Sequence, residues 1–505
     1  MPTPMTKSHR SQLLVAALVA GIDGDLLLRG GQWRAGFAVW IAGLALSVLL
    51  VSGRANRERL LMLAGVTCAA FGLAFRDAQL LYAIDMLSVL CMGALLIWQG
   101  TGHTLADLTL VRSARAGVIA ALNTVAGAPG LLARNETDTD TDTGSTGTAR
   151  STIRALTIGA ALAAIPLFLV TGLLSASDIV FGRLMDEVFS TVVTDGLSHL
   201  FITVLLAWIT AGWFRASTGH ALGHSVPDPR APGLPFITVS VVLYALVALL
   251  LVFVLTQARV LFGGAEFLRT TANLSVANYA REGFFQLIAA SGVVLATLVM
   301  AEWLLAADDV HARRQYRTVS VALLALVALL LVSSATRIVL YMNEFGLSVD
   351  RAFASAAIVW VFGVLVAFAL TTLRGRPMHF MRAAIVVTVG WVSLVNVINP
   401  EALVVRVNVA RAESGATFDA KYHARLSADA LPLLLERANR LQPADCAALH
   451  AELRVWWTTR FTDPEEGRGD WRSANLPLIG ARRWFAAERS APTSCVTSGE
   501  VDTPR

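Results

Sequence analysis

The sequence predicts an all-α protein, a polytopic transmembrane helix bundle of about ten or eleven spans with a small helical soluble C-terminal tail. Two observations predict it. Of the 505 residues, 55% are hydrophobic and 15% are charged, against roughly 25% charged in a soluble domain. The mean hydropathy is +0.61, and the apolar residues are gathered into uncharged runs on the order of 20 long, the length that crosses a hydrocarbon core. Continuous runs such as Val241–Thr256 and Val319–Val332 exclude the alternating pattern of a membrane β-barrel. In lipid, a segment must satisfy its own backbone groups, so the spans are helices.

Taken in order, segment 11–28 is the weakest span, because its apolar run Leu13–Ile22 is followed by Asp23 and Asp25. Its basic start suggests a signal peptide, but it lacks a small-x-small cleavage site and reads as retained. Stronger spans are expected at 35–52, 59–75 and 78–98, within an N-terminal membrane part at 1–134. Residues 135–150, NETDTDTDTGSTGTAR, form an acidic, Thr-rich flexible linker without apolar anchors. The main bundle, 151–400, carries spans at 153–175, 197–214, 235–256, 284–305, 318–340, 353–373 and 380–398. Glycines and a proline within spans (Gly65, Gly159, Pro166, Gly292, Gly363, Gly390) suit close helix approach or a kink.

The tail, 401–505, reads as helical. Ser427 or Asp429 is placed to cap a helix through Leu431–Leu441, and Pro443 to begin another carrying Leu449, Leu453, Trp456 and Trp457. Trp471, Arg482, Arg483, Trp484 and Phe485 make a basic-aromatic stretch suited to docking on the bundle or to a membrane surface.

Basic residues number 41 against 36 acidic, and lysine occurs only at Lys7 and Lys421. In a membrane protein such a surplus marks loop orientation. Arginines concentrate on the side of Arg54, Arg57, Arg313, Arg314, Arg317, Arg374 and Arg376, which is therefore expected to be cytoplasmic, with the tail outside. No basic tract is interleaved with aromatics, so a nucleic-acid partner is not expected. Cys68 and Cys91 fall in spans and read as small buried hydrophobes; Cys446 and Cys495 are an even pair in the tail and are candidates for a disulfide.

Polar residues near hydrocarbon are costly and default to functional hypotheses. On the tail side these are Asp85, Arg183, Asp186, Tyr279, Arg281, Glu282, Arg337, Tyr341, Glu344, Arg351, Asn396, Asn399, Asn408 and Arg411. Their guanidinium and carboxylate groups suit either a closed ion-pair network or a cavity for an anionic small molecule or lipid headgroup. Glu302 lies near the opposite end, where snorkelling accounts for it. The stretches Tyr279-x-x-Glu282 and Tyr341-x-x-Glu344 allow a parallel internal repeat.

YAREGFFQL at 279–287, RIVLYMNEFGLSVDR at 337–351, NVINPEALVVRVNVAR at 396–411, DWRS at 470–473 and VFGRLMDEVF at 180–189 carry a family likeness. Together they resemble the bacterial multipass membrane family of domain of unknown function 4173, close to the 4153 type. The resemblance implies a bacterial membrane protein and supplies no activity, substrate or cofactor.

No Walker loop, HExxH or GxSxG elbow occurs. Asp138, Asp140 and Asp142 lack the rest of a calcium loop, and His220 and His224 lack a companion glutamate, so no metal and no cofactor are expected. The expected role is a non-enzymatic sensing, scaffolding or regulatory protein of the cell envelope, set in the plasma membrane. A transporter or lipid flippase, and a membrane enzyme on lipid or glycan, are the alternatives.

Overall fold

The computed structural model describes residues 6–29, 33–52, 56–108, 110–126, 128, 131, 195–220, 233–271, 284–305, 310–460, 471–473 and 475–490. The linker 135–150, the span expected at 153–175, Asp138, Asp140, Asp142, Arg183, Asp186, His224, Tyr279, Arg281, Glu282 and Cys495 lie outside them. Among the described residues no strand forms, and nine helices are long and apolar enough to cross a membrane. The chain is an all-α multipass membrane protein.

Two compact units are present. The first comprises residues 1–67, 89–104 and 115–226. Helix α1 (Lys7–Leu28) packs along α6 (Asp195–Arg215) and against α2 (Ala35–Ser52). The segment expected to be the weakest is thus a full helix and one of the nine candidate spans. Asp25, which counted against it, is buried and paired: Arg29 donates Nε and Nη2 to one oxygen (3.0 and 2.7 Å), and His199 Nδ1 bonds the other. Helix α2 is a shorter apolar helix.

The second unit comprises 68–88, 105–114 and 227–505. Helices α3 (Arg57–Phe75), α4 (Gln79–Gly100) and α5 (Leu110–Ala126) each contribute to both units. Then come α7 (Phe236–Thr271), α8 (Phe284–Leu304), α9 (Val310–Phe345), α10 (Val349–Thr371) and α11 (Phe380–Ile398). The span expected at 318–340 is the middle of the 36-residue α9. No Gly or Pro interrupts 310–345, so nothing stops the helix at the membrane boundary. Its extension buries Tyr316, whose hydroxyl donates to the Leu298 carbonyl at 2.7 Å and pins α9 to α8. Ser348 caps α10 by accepting from the Arg351 amide.

Beyond α11 the chain forms α12 (Pro400–Glu413), α13 (Ala420–Ala424), α14 (Leu431–Ala438), α15 (Pro443–Arg460) and α16 (Leu476–Ser490). They share a core of Val404, Val405, Leu434, Leu449, Leu453, Trp457, Ala481 and Phe485. Phe485 is therefore interior, not a membrane-surface residue. This core forms by removal of apolar surface from water, about 1.5–3 kcal/mol per large side chain. The spans have no such force between them, because lipid is as apolar as leucine, and must rely on close contact.

Four expectations are corrected. Cys68 and Cys91 are exposed on their helices, not buried, and are free thiols. Glu302 does not snorkel; it is mostly buried against Arg313, whose Nη1 bonds it at 2.9 Å, because α9 brings that arginine back beside α8. Among the described residues nothing lies within 4 Å of a β-carbon at Gly292 or Gly390, so neither makes a close helix approach there. Helix α14 has no side-chain cap, and Asp429 is spent elsewhere.

Gly100 makes the close contact expected of membrane glycines: a β-carbon there would overlap the main chain of Ala216. Gly100→Ala should lower thermal stability in detergent by about 1–3 kcal/mol. Gly43→Ala and Gly117→Ala, where a β-carbon meets nothing within 4 Å among the described residues, should leave the melting temperature unchanged or slightly raised.

Candidate functional site

The polar residues of the second unit gather where the spans end and the tail helices begin. Helix α11 ends at Asn399, whose φ of 55° places it in the left-handed region. Asparagine tolerates that conformation. It closes α11 and caps α12 at once, its Oδ1 accepting from the Ala402 amide at 3.1 Å, with Pro400 as the first residue of the new helix. Its Nδ2 donates to the Asp429 carbonyl at 3.0 Å.

Asp429 then reaches back to α4. One oxygen, Oδ2, accepts from the amides of Asp77 and Ala78, both at 2.8 Å. Those amides lie at the start of α4, where no intrahelical acceptor exists. The Asp77 carboxylate accepts in return from the Ala428 amide at 3.1 Å. Two buried aspartates therefore cap each other's main chain. Beside them the buried Glu401 accepts from the Ser427 amide at 2.6 Å, and Asn475 donates to the Arg76 carbonyl at 2.6 Å.

Burial is the largest influence on these acids and raises both Asp429 and Glu401. For Asp429 the Ala78 and Asp77 amides and the Arg76 charge pull the other way, while the Asp77 charge adds to the rise. For Glu401 the Ser427 hydrogen bonds oppose, and the charges of Asp429 and Asp77 add to the rise.

A second knot holds the turn between α9 and α10. The Asn408 amide pairs with the main chain of Leu347 in both directions, each bond 2.8 Å long. Its Nδ2 also meets His423 Nε2 at 3.0 Å. Since His423 Nδ1 bonds the Asp419 carbonyl at 2.7 Å, the proton sits on Nδ1 and Nε2 accepts. Burial lowers the His423 pKa, which keeps the ring neutral. Arg411 Nη2 donates to the carbonyls of Asn343 and Glu344 at the end of α9, at 2.9 and 3.1 Å. The Glu344 side chain is exposed. Arg351 lies over the Tyr341 ring at 4.0 Å, and its Nη1 bonds the Gly346 carbonyl.

Deeper in the bundle, Asp85 on α4 accepts from Asn396 Nδ2 on α11 at 2.8 Å, and the Arg76 guanidinium donates to the Asn396 carbonyl. Arg337 is buried on α9. The structure thus brings Asp85 to Asn396, Tyr341 to Arg351, and Asn408 and Arg411 to the 343–347 turn. Most of these contacts run from side chain to main chain. Asp77, Asp429, Glu401 and His423 are the residues that sequence reading missed as a site. Asp77 carried a signal, an acid at the very start of an apolar run, where a helix dipole favours it. Asp429 carried only a misleading one, its position before Leu431.

A cleft of about 500 Å³ opens beside the knots. Asp350, Glu401, Asp419, Lys421, Tyr422 and Arg425 are among its lining residues. Both charges are present, so it suits a polar or ionic ligand. Among the described residues no group of His, Cys, Asp and Glu is placed to hold a metal.

Asp429→Ala should lose about 1–2 kcal/mol through the uncapped start of α4. Asp429→Asn keeps an acceptor for those amides. Folding raises the Asp429 pKa, so its contribution is full below the ordinary carboxylate range and is lost as pH rises through the folded value. The stability of the unmutated chain relative to Asp429→Asn should therefore fall as pH rises above the ordinary carboxylate range. Taking that difference removes the opposite trend from His423, whose contribution is lost on acidification. Melting curves in detergent across pH check both.

The model of the family described as domain of unknown function DUF4153 matches residues 60–437. The 4173 type suggested by the motifs is not shown. No curated protein and no solved structure matches the chain significantly. The matched region runs from α3 through the spans to α14 and contains both knots, Asp85 and Asn396. The chain belongs to the DUF4153 family.

Proposed function

We propose that the chain is a non-enzymatic scaffolding or sensing protein of the bacterial cell envelope, held in the plasma membrane, with its helical tail on the extracytoplasmic face. The observation that carries this reading is the reciprocal capping of Asp77 and Asp429. Asp77, Asp429, Asn399 and Asn408 at this junction each hold main chain, which is how a fixed platform is built. A transport path would leave such groups facing an open cavity, and an enzyme would aim carboxylates at a substrate. The arginine excess on the opposite loops supports the orientation. So does Cys446, which is disulfide-bonded, since disulfides persist in oxidising spaces.

The cleft beside the knots favours one further reading, that the platform binds an anionic small molecule or lipid headgroup through Lys421 and Arg425. Two experiments test these readings. Cysteines placed at Glu344 and at the exposed Arg406, in a chain lacking Cys68 and Cys91, should react with a membrane-impermeant maleimide in intact cells. Reaction only after lysis inverts the orientation. In a deletion strain challenged with detergent, a scaffold predicts that Asp429→Ala and Asn399→Ala lose tail protection from protease and growth rescue together. Lys421→Ala and Arg425→Ala should keep both. Folded, protected Lys421→Ala and Arg425→Ala variants that fail to rescue would instead establish the cleft as a ligand site.

A further inference from the structure

The side chain of Asp85 is completely buried within a candidate span. One oxygen, Oδ1, accepts from Asn396 Nδ2 at 2.8 Å. Among the described residues no donor meets the other, Oδ2, and none meets Asn396 Oδ1. Both atoms converge on the same point: a β-carbon added to Gly72 would overlap the Asp85 carboxyl and lie 3.0 Å from Asn396 Oδ1. Two acceptor oxygens thus crowd over the bare Cα of Gly72. The Arg76 guanidinium donates to the main-chain carbonyl of Asn396, and among the described residues no ion pair joins it to the acid.

An ionised carboxylate is a poor fit for this arrangement. It would hold a net charge at membrane depth with one oxygen unsatisfied, and would set that oxygen beside a second lone-pair donor. A neutral acid removes every conflict. Adding one proton to Oδ2 creates an O–H that can donate to Asn396 Oδ1, while Asn396 Nδ2 continues to donate to Asp85 Oδ1. The result is a closed acid–amide pair with two antiparallel hydrogen bonds and no unsatisfied atom. We propose that Asp85 and Asn396, seated over Gly72, form a proton-binding site inside the bundle, occupied by one proton at neutral pH. The proton comes from water and no bond other than O–H is made. The site is separate from the tail platform, and its test does not depend on that reading.

Infrared spectroscopy of the full chain in lipid tests this. At pH 7 the unmutated chain should show the carbonyl band of a hydrogen-bonded carboxylic acid that Asp85→Asn loses. That substitution should fold with an unchanged or higher melting temperature, because an amide–amide pair keeps both hydrogen bonds. Asn396→Ala should shift the same band toward that of a free acid, which keeps the question open to measurement if Asp85→Asn does not fold. Titration to alkaline pH should replace the band with carboxylate absorption. Identical spectra for the unmutated chain and a folded Asp85→Asn at pH 7 would show an ionised Asp85 and overturn the proposal. A carboxylate band that moves on exchange of sodium for potassium would overturn it in favour of a cation site.

Discussion

Every helix leaves its first amides and last carbonyls without partners inside the helix. In this protein several helix ends meet in one small volume, at the border of the apolar spans, where lipid supplies no alternative partner. The reciprocal capping of Asp77 and Asp429 meets that demand across the join between spans and tail. Asn399 does the same within a single residue, ending α11 and starting α12. Asn408 and Arg411 complete it by holding the turn after α9. Much of the placement of the tail helices on their spans follows from these bonds.

Two solvents act on this chain with different physics. The tail helices bury leucine and tryptophan against each other because water rejects those surfaces. The spans show many large apolar residues on their outsides, such as Val252, Leu249 and Val397, as helices in lipid are free to do. Close contact and hydrogen bonds must then decide which helix faces which. That is why the polar residues count for more here than their small number suggests. Arg313 with Glu302, Tyr316 with the Leu298 carbonyl, and Asn396 with Asp85 each join two helices through a bond that lipid cannot replace.

The buried acids of the junction and the bundle are used differently. Asp429 and Glu401 accept from main-chain amides, so either protonation state retains its hydrogen bonds and pH acts by degree. Asp85 faces a side-chain amide with an acceptor opposed to its second oxygen, so the two protonation states differ in whether the pair closes at all. His423 is held in one tautomer by a carbonyl on one side and an amide on the other. The fold thus holds titratable groups in three distinct kinds of environment within one compact unit.

Apolar runs on the order of 20 residues determined the all-α multipass architecture, because hydrocarbon admits little else. The grouping of Asn396, Asn399, Asn408 and Arg411 near a span exit was also legible, since polar residues there are costly enough to stand out. The partners were not legible. Asp77 and Asp429 are 352 positions apart, and a carboxylate before a helix reads as that helix's own cap until the fold shows a nearer set of amides. Nor could composition say that α9 runs past its span to return Arg313 to Glu302. Hydropathy is a property of each segment alone, whereas a hydrogen bond between distant segments exists only once the chain has brought them within reach.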